Sequence, residues 1–141
     1  MDIGTEDLFI STTDDIQLNA VSEINLAGAI SLSDKKSVTL TANQTNWNPG
    51  TDGISTLNVT VSGVTNPTVA GLVSTITREG AILIIKNVDT SDSFTLNHSD
   101  GTATSSNRWL LPNNSPMTIP PRGCIIAQRE NSRWYVISKN F

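Results

Sequence analysis

The chain of 141 residues carries one cysteine, Cys124, and one histidine, His98. A single thiol cannot close an intrachain disulfide, so nothing here calls for an oxidising compartment. A lone histidine also leaves no His/Cys set at zinc-ligand spacing. Charge is sparse: charged residues make up 16%, with 9 Lys and Arg against 13 Asp and Glu, for a net charge of −4. That balance lacks the basic footprint of a nucleic-acid binder. No run of 18 apolar residues occurs, and the start of the sequence shows no basic-then-apolar signal pattern, so neither membrane insertion nor signal-directed export is expected. Nowhere do apolar residues recur with the 3.6-residue period of a helix. The Gly-x-Ser-x-Gly elbow and the phosphate-binding loop are both missing, and Cys124 sits in an apolar stretch where a thiol is inert, so no catalysis is expected.

What replaces charge is Thr, Ser and Asn, which suit strands, turns and hydrogen-bonded surfaces. The first 40 residues repeat in registers of eight. Asp7-Leu8-Phe9-Ile10 is followed by Asp15-Ile16-Gln17-Leu18 and by Glu23-Ile24-Asn25-Leu26. After a slip of two at Ala27-Gly28 come Ile30 and Leu32, then Val38 and Leu40. Alternation within each unit reads as a short strand with one apolar face. Two inward aliphatics per strand are too few to hold such strands alone in water. Three copies around an axis solve this by pooling Leu8, Ile10, Ile16, Leu18, Ile24, Leu26, Ile30 and Leu32 into a shared core. The expectation is a short intertwined homotrimeric β-stalk over residues 1–36, the alternative being an ordinary meander of short strands. Asp7, Asp15 and Glu23 follow the octad lattice and read as solvent-facing decoration. The abrupt start at Met1-Asp2-Ile3-Gly4 reads as part of a longer fibrous chain on the N-terminal side.

Residues 37–141 read as an all-β head. A polar loop from Thr41 to Gly53 carries the turn signals Asn48-Pro49-Gly50 and Asp52-Gly53. Leu57, Val59 and Val61 alternate with polar residues. Ala81 to Lys86 is a continuous apolar run, expected as a central strand buried on both faces. Phe94, Leu96 and His98 alternate again, Asn107 to Leu111 and Met117 to Ile119 form short strands, and Cys124–Gln128 pairs with Arg133–Ser138 across residues 129–132. Strands at this spacing point to an antiparallel β-sandwich, jelly-roll-like in plan.

The order of several short motifs carries a resemblance. Thr39-Leu40-Thr41-Ala42-Asn43-Gln44-Thr45-Asn46-Trp47-Asn48-Pro49-Gly50 opens it, Val69-Ala70-Gly71-Leu72, Gly80 to Val88 and Phe94-Thr95-Leu96-Asn97-His98-Ser99 continue it, and Asn107-Arg108-Trp109, Pro121-Arg122-Gly123 and Arg133-Trp134-Tyr135-Val136 close it. In this order they resemble the C-terminal heads of tailed-bacteriophage tail fibres and related phage surface proteins, and the octads look like the trimeric β-stalks of phage spikes. The resemblance implies a homotrimeric, non-enzymatic tip in the virion, assembled in the host cytoplasm. It also implies binding to a bacterial surface polysaccharide or outer-membrane receptor, without a cofactor.

Candidate binding residues are Asn46, Trp47, Asn48, Arg108, Trp109 and Asn113. Exposed Trp beside Asn and Arg is a chemistry that grips sugars, a flat ring for the pyranose face and planar polar groups for its hydroxyls. The competing reading, favoured for Trp47 and similarly for Trp109, is that each ring plugs the end of the sandwich or an inter-chain seam. Trp134 alternates with Val136 and reads as core. His98 reads as a structural histidine at a strand end, since no His-x-His triplet accompanies it. Asp89-Thr90-Ser91-Asp92 and Asp100-Gly101 lack the register of a calcium loop and read as turns, so no metal is expected. The loops at 43–53, 88–93, 99–106 and 112–116 are the available surface. A decoration or trimerisation module without a receptor is the alternative function.

Overall fold

The computed structural model describes residues 35–51, 54–73 and 79–141. The octads up to Leu32, and with them the trimer core from Leu8 to Leu32, lie outside these residues, while the last pair, Val38 and Leu40, falls within them. The described residues form nine strands in order: β1 (Lys35–Leu40), β2 (Thr56–Val61), β3 (Thr68–Val69), β4 (Ile82–Asn87), β5 (Phe94–Leu96), β6 (Trp109–Leu110), β7 (Met117–Ile119), β8 (Cys124–Glu130) and β9 (Arg133–Lys139). Two short 3-10 turns, Ser105–Asn107 and Pro112–Asn114, complete the set, and the described residues contain no α-helix. The chain is all-β.

Its strands stack in a solenoid-like manner. β1, β2 and β4 lie side by side and parallel, Lys35 beside Thr56 and Thr56 beside Ile84, so successive rungs are 21 and 28 residues apart. Each of these strands leads into a second, smaller face. There Gln44 bridges Val69 in parallel, 25 residues on, and Thr68 of β3 stands beside Thr95 of β5, 27 residues on. The path then reverses. β7 runs antiparallel to β5 and leads into β8, antiparallel to β4. β9 returns beside β8, and β6 joins β9 in parallel at the far edge. The final orders are β1-β2-β4-β8-β9-β6 and β3-β5-β7. The expectation of an antiparallel head is therefore corrected to mixed sheets. Parallel neighbours need a long crossover, and each rung supplies one by passing through the second face.

Alternation fixes which side of each strand is covered. Leu57 and Val59 of β2, Leu83 and Ile85 of β4, and Ile125 and Ala127 of β8 are all fully buried, and with Val69, Phe94, Leu96 and Ile119 of the smaller face they form one core. Fully burying a Val, Leu or Phe side chain is worth about 1.5–3 kcal/mol relative to exposure. The apolar run at 81–86 is corrected on one point. β4 is central in its sheet, yet Ile82 is 38% exposed, so only one face is buried. The hairpin of β8 and β9 stands as read, with a tighter turn: Asn131 and Ser132 alone make it, both at positive φ (49° and 59°), the two-residue geometry that matches strand twist. Arg129 and Glu130, read as turn, belong to β8.

The reversal is held by one amide. Asn87, 1% exposed, stands beside Val59 and, one strand further, Val38 in the stack of rungs. Its Nδ2 donates to the carbonyls of Asp92 (2.8 Å), Pro120 (3.0 Å) and Ile119 (3.1 Å), while its Oδ1 accepts the Asp89 N–H at 3.1 Å. Its own N–H donates to the Gly123 carbonyl at 2.8 Å. The corner after β4 and the turn that feeds β8 are thus tied to one buried side chain. A Cβ on Gly123 would stand 2.8 Å from the Pro120 carbonyl oxygen, which is why that turn takes glycine.

Candidate functional site

Four of the six candidate residues meet at one corner. The Asn46 Oδ1 accepts the Thr104 N–H and the Asn107 Nδ2, both at 3.0 Å, fastening the first rung to the 99–107 loop. Trp47 donates its N–H to the Gly71 carbonyl at 2.8 Å, and its carbonyl accepts from Val73 at 2.7 Å. Arg108 spans its own loop, Nε to the Ala103 carbonyl at 3.0 Å and Nη2 to the Gly101 carbonyl at 3.3 Å. Gly71 bridges Arg108 across the corner, and a Cβ there would meet the Ala103 Cβ at 2.8 Å and the Asn107 carbonyl oxygen at 2.9 Å. Asn48 serves its own turn, its Oδ1 accepting the Gly50 N–H at 3.2 Å.

The rings at this corner face inward. Trp47 is 6% exposed and Trp109 is fully buried. The reading of either as an open platform for a sugar is corrected, because no face of the indole is free for a ligand. Framework packing, the competing reading for both rings, is where the structure places them, and Trp134 is core as expected.

The loop carboxylates are saturated by their own turns. Asp89 Oδ1 accepts the N–H groups of Ser91 and Asp92, and Oδ2 accepts that of Val61 from the rung beside it. Those backbone bonds, Ser91 first, hold its carboxyl well below the ordinary range. Asp100 is lowered too, chiefly by the N–H and hydroxyl of Thr102, then by Asn97, with a smaller contribution from the Arg108 charge. His98 is structural: its Nδ1 accepts the Leu111 N–H at 3.0 Å. Burial pushes the Cys124 thiol up, against the pull of Lys86, so it stays protonated at neutral pH.

Asn113 stands apart from the other candidates and lines open space. It sits at φ 59° in the 112–114 turn, beside a surface cleft of about 410 Å³ shared with Ser115, Thr118, Lys139 and Phe141. The Phe141 ring is 41% exposed, and the Lys139 Nζ lies 4.9 Å from its centroid. A second cleft of about 320 Å³, which also borders this turn, is lined by His98, Leu111, Asn114 and Tyr135. Lys139, Phe141 and Tyr135 escaped the sequence reading. The signal available for Phe141 was a large ring beyond the last alternating strand position, with no inward slot of its own.

A third feature lies inside. Arg129 of β8, Trp134 of β9 and Trp109 of β6 are neighbours in register across three strands. The Arg129 Cζ is 5.8 Å from the Trp134 ring centroid, and the two indoles lie 6.5 Å apart at 42°. Arg129 is only 6% exposed, and its Nε and Nη1, with both indole Nε1 atoms, are buried without an acceptor. A desolvated cation–π contact returns about 2 kcal/mol or more, whereas a buried, unpaired ion costs several. With Asn87, Thr51 and Thr95, Arg129 is one of the buried polar or charged residues among those described, and its row too was missed. Its signal was the alternation itself, since Ile125 and Ala127 point inward and the next inward position is Arg129.

No family model, curated protein or solved structure matches the chain.

Proposed function

We propose that the chain is the C-terminal part of a tailed-phage tail fibre or spike, a non-enzymatic homotrimeric adhesin. In this reading the octads form a trimeric stalk and the head, its two sheets facing each other as in a sandwich, grips a glycan on the bacterial surface. The observation that carries it is the cleft at Asn113. An exposed aromatic ring, an ammonium, an amide and two hydroxyls surround an open space on a scaffold whose turns are internally bonded. Such a set suits a sugar, the ring taking its apolar face and the polar groups its hydroxyls. Three copies would add weak contacts through multivalency. The first candidate residues, Asn46, Trp47, Arg108 and Trp109, then serve as the frame that holds the loops.

The burial of Trp47 and Trp109 favours a second reading, a virion decoration or trimerisation module with no receptor. Glycan and whole-cell binding by the full chain separates the two. Binding that is lost in Asn113→Gly and Phe141→Ala, each retaining the unfolding midpoint of the parent, supports adhesion through this cleft. Absence of binding across bacterial hosts favours the structural module, and a monomeric native mass at micromolar concentration overturns the trimer in both.

A further inference from the structure

We infer that the row Arg129–Trp134–Trp109 is a binding site for a small carboxylate, taken up inside the head. Four N–H donors, Nε and Nη1 of Arg129 and Nε1 of each indole, are buried in this row with no acceptor. Every one of these groups donates and none accepts, so the row is complementary to an anion and not to a cation or a neutral donor. Nε and Nη1 of Arg129 have no hydrogen-bond partner, and its ring contact is to Trp134. Glu130 and Arg133, the next pair in register, are followed directly by the two-residue turn, so the row lies one pair from the end of the sheet. Glu79, the acid nearest that turn in bonding, is engaged with the Ser132 N–H at 2.9 Å.

The class of anion follows from charge and shape. A guanidinium presents its donors in a planar fork that matches the two oxygens of a carboxylate. One positive charge balances a monoanion, while a phosphate or sulfate dianion would bring a second, unbalanced charge into an apolar interior. Indole N–H groups add donors to the row without adding charge. This site is separate from the Asn113 cleft, and its test does not depend on adhesion.

The test uses the full chain, with the unfolding midpoint and the tryptophan emission followed as sodium acetate or formate is added at neutral pH against chloride at matched ionic strength. Two of the three tryptophans line the row, so occupancy is read directly in emission. The expected result is a saturable rise in midpoint with a saturable emission change, both absent in Arg129→Met. Trp134→Phe, which retains a ring but removes one donor, weakens acetate by about 10- to 100-fold, the worth of one hydrogen bond to a charged group. It remains informative if Arg129→Met does not fold. An equal response to sulfate or phosphate overturns the carboxylate assignment. A response unchanged by both substitutions, or no saturable response to either carboxylate, overturns the site.

Discussion

The Asn87 side chain donates to the Ile119 carbonyl at 3.1 Å inside the core, joining the last parallel rung to the strand on which the chain has reversed. Its neighbours in the stack, Val38 and Val59, are aliphatic. Asn87→Val would extend that aliphatic column, so area alone predicts a gain. The bonds predict the opposite: the carbonyls of Asp92, Ile119 and Pro120 and the Asp89 N–H all lose a partner. The expected outcome is a loss of about 2–4 kcal/mol by urea unfolding. A neutral or stabilised variant would remove Asn87 from its place as the tie of the reversal.

Asp89 makes the stability depend on acid. Its carboxyl is held below the ordinary range by the N–H groups of Ser91, Asp92 and Val61, so it is more acidic folded than unfolded. Such a group stabilises above the unfolded aspartate value, about 3.9, and its contribution is lost as pH falls below that value toward the folded one. Asp89→Asn is expected to be less stable than the parent at pH 7, with the gap narrowing below about pH 4. Asp100 is shifted the same way, so some acid sensitivity stays in the variant. Denaturation midpoints across pH 2–7, taken for both proteins, check the sign; a constant gap would refute it.

Trp47 offers a test of packing against recognition. The ring is 6% exposed and belongs to the core. Trp47→Ala is expected to cost about 3–5 kcal/mol while leaving ligand affinity per folded molecule unchanged. Calorimetric unfolding alongside glycan binding at a temperature where the variant is folded distinguishes the two. Lost binding at unaltered stability would restore the ring as a contact.

Gly71 is a point of close approach between the loop 99–107 and the second rung. A methyl there collides with the Ala103 Cβ at 2.8 Å and with the Asn107 carbonyl oxygen at 2.9 Å, and the latter is backbone that cannot swing aside. It also accepts from Leu72 at 2.8 Å, so displacement breaks a bond between the segments. Gly71→Ala is expected to destabilise by about 1–3 kcal/mol. Gly63→Ala, with open space around its Cβ but φ at 71°, separates steric collision from backbone strain. Hydrogen exchange in residues 99–108 should rise in the first variant and stay unchanged in the second.

Much of the local structure was legible in residue order. Alternation of Leu57, Val59 and Val61 fixed a strand and its inward face, and the two apolar runs around Asn131-Ser132 fixed the hairpin of β8 and β9. Both are short-range: a strand's face depends on a period of two, and a hairpin's pairing depends on its turn. The parallel rungs were not legible. Lys35 and Thr56, or Thr68 and Thr95, become neighbours only because the chain travels through a second face between them. The stack asks only for a side chain of fitting size at each inward level, and at Asn87 it accepts a polar one.

The candidate site divides along the same line. Residue types in order nominated Asn113 and the indoles, but chemistry alone cannot say which side of a strand is covered. Tertiary structure turned Trp47 and Trp109 inward, left Asn113 and Phe141 beside open space, and set Arg129 next to Trp134 in the interior. By itself the sequence determined that the chain is built of β-strands with few charges and tight polar turns, because those properties follow from each residue and its nearest neighbours. Which strands pair, where the path reverses and which donors are buried without acceptors were decided only by packing between segments 20 or more residues apart, where size and hydrogen bonding, not local pattern, select the partner.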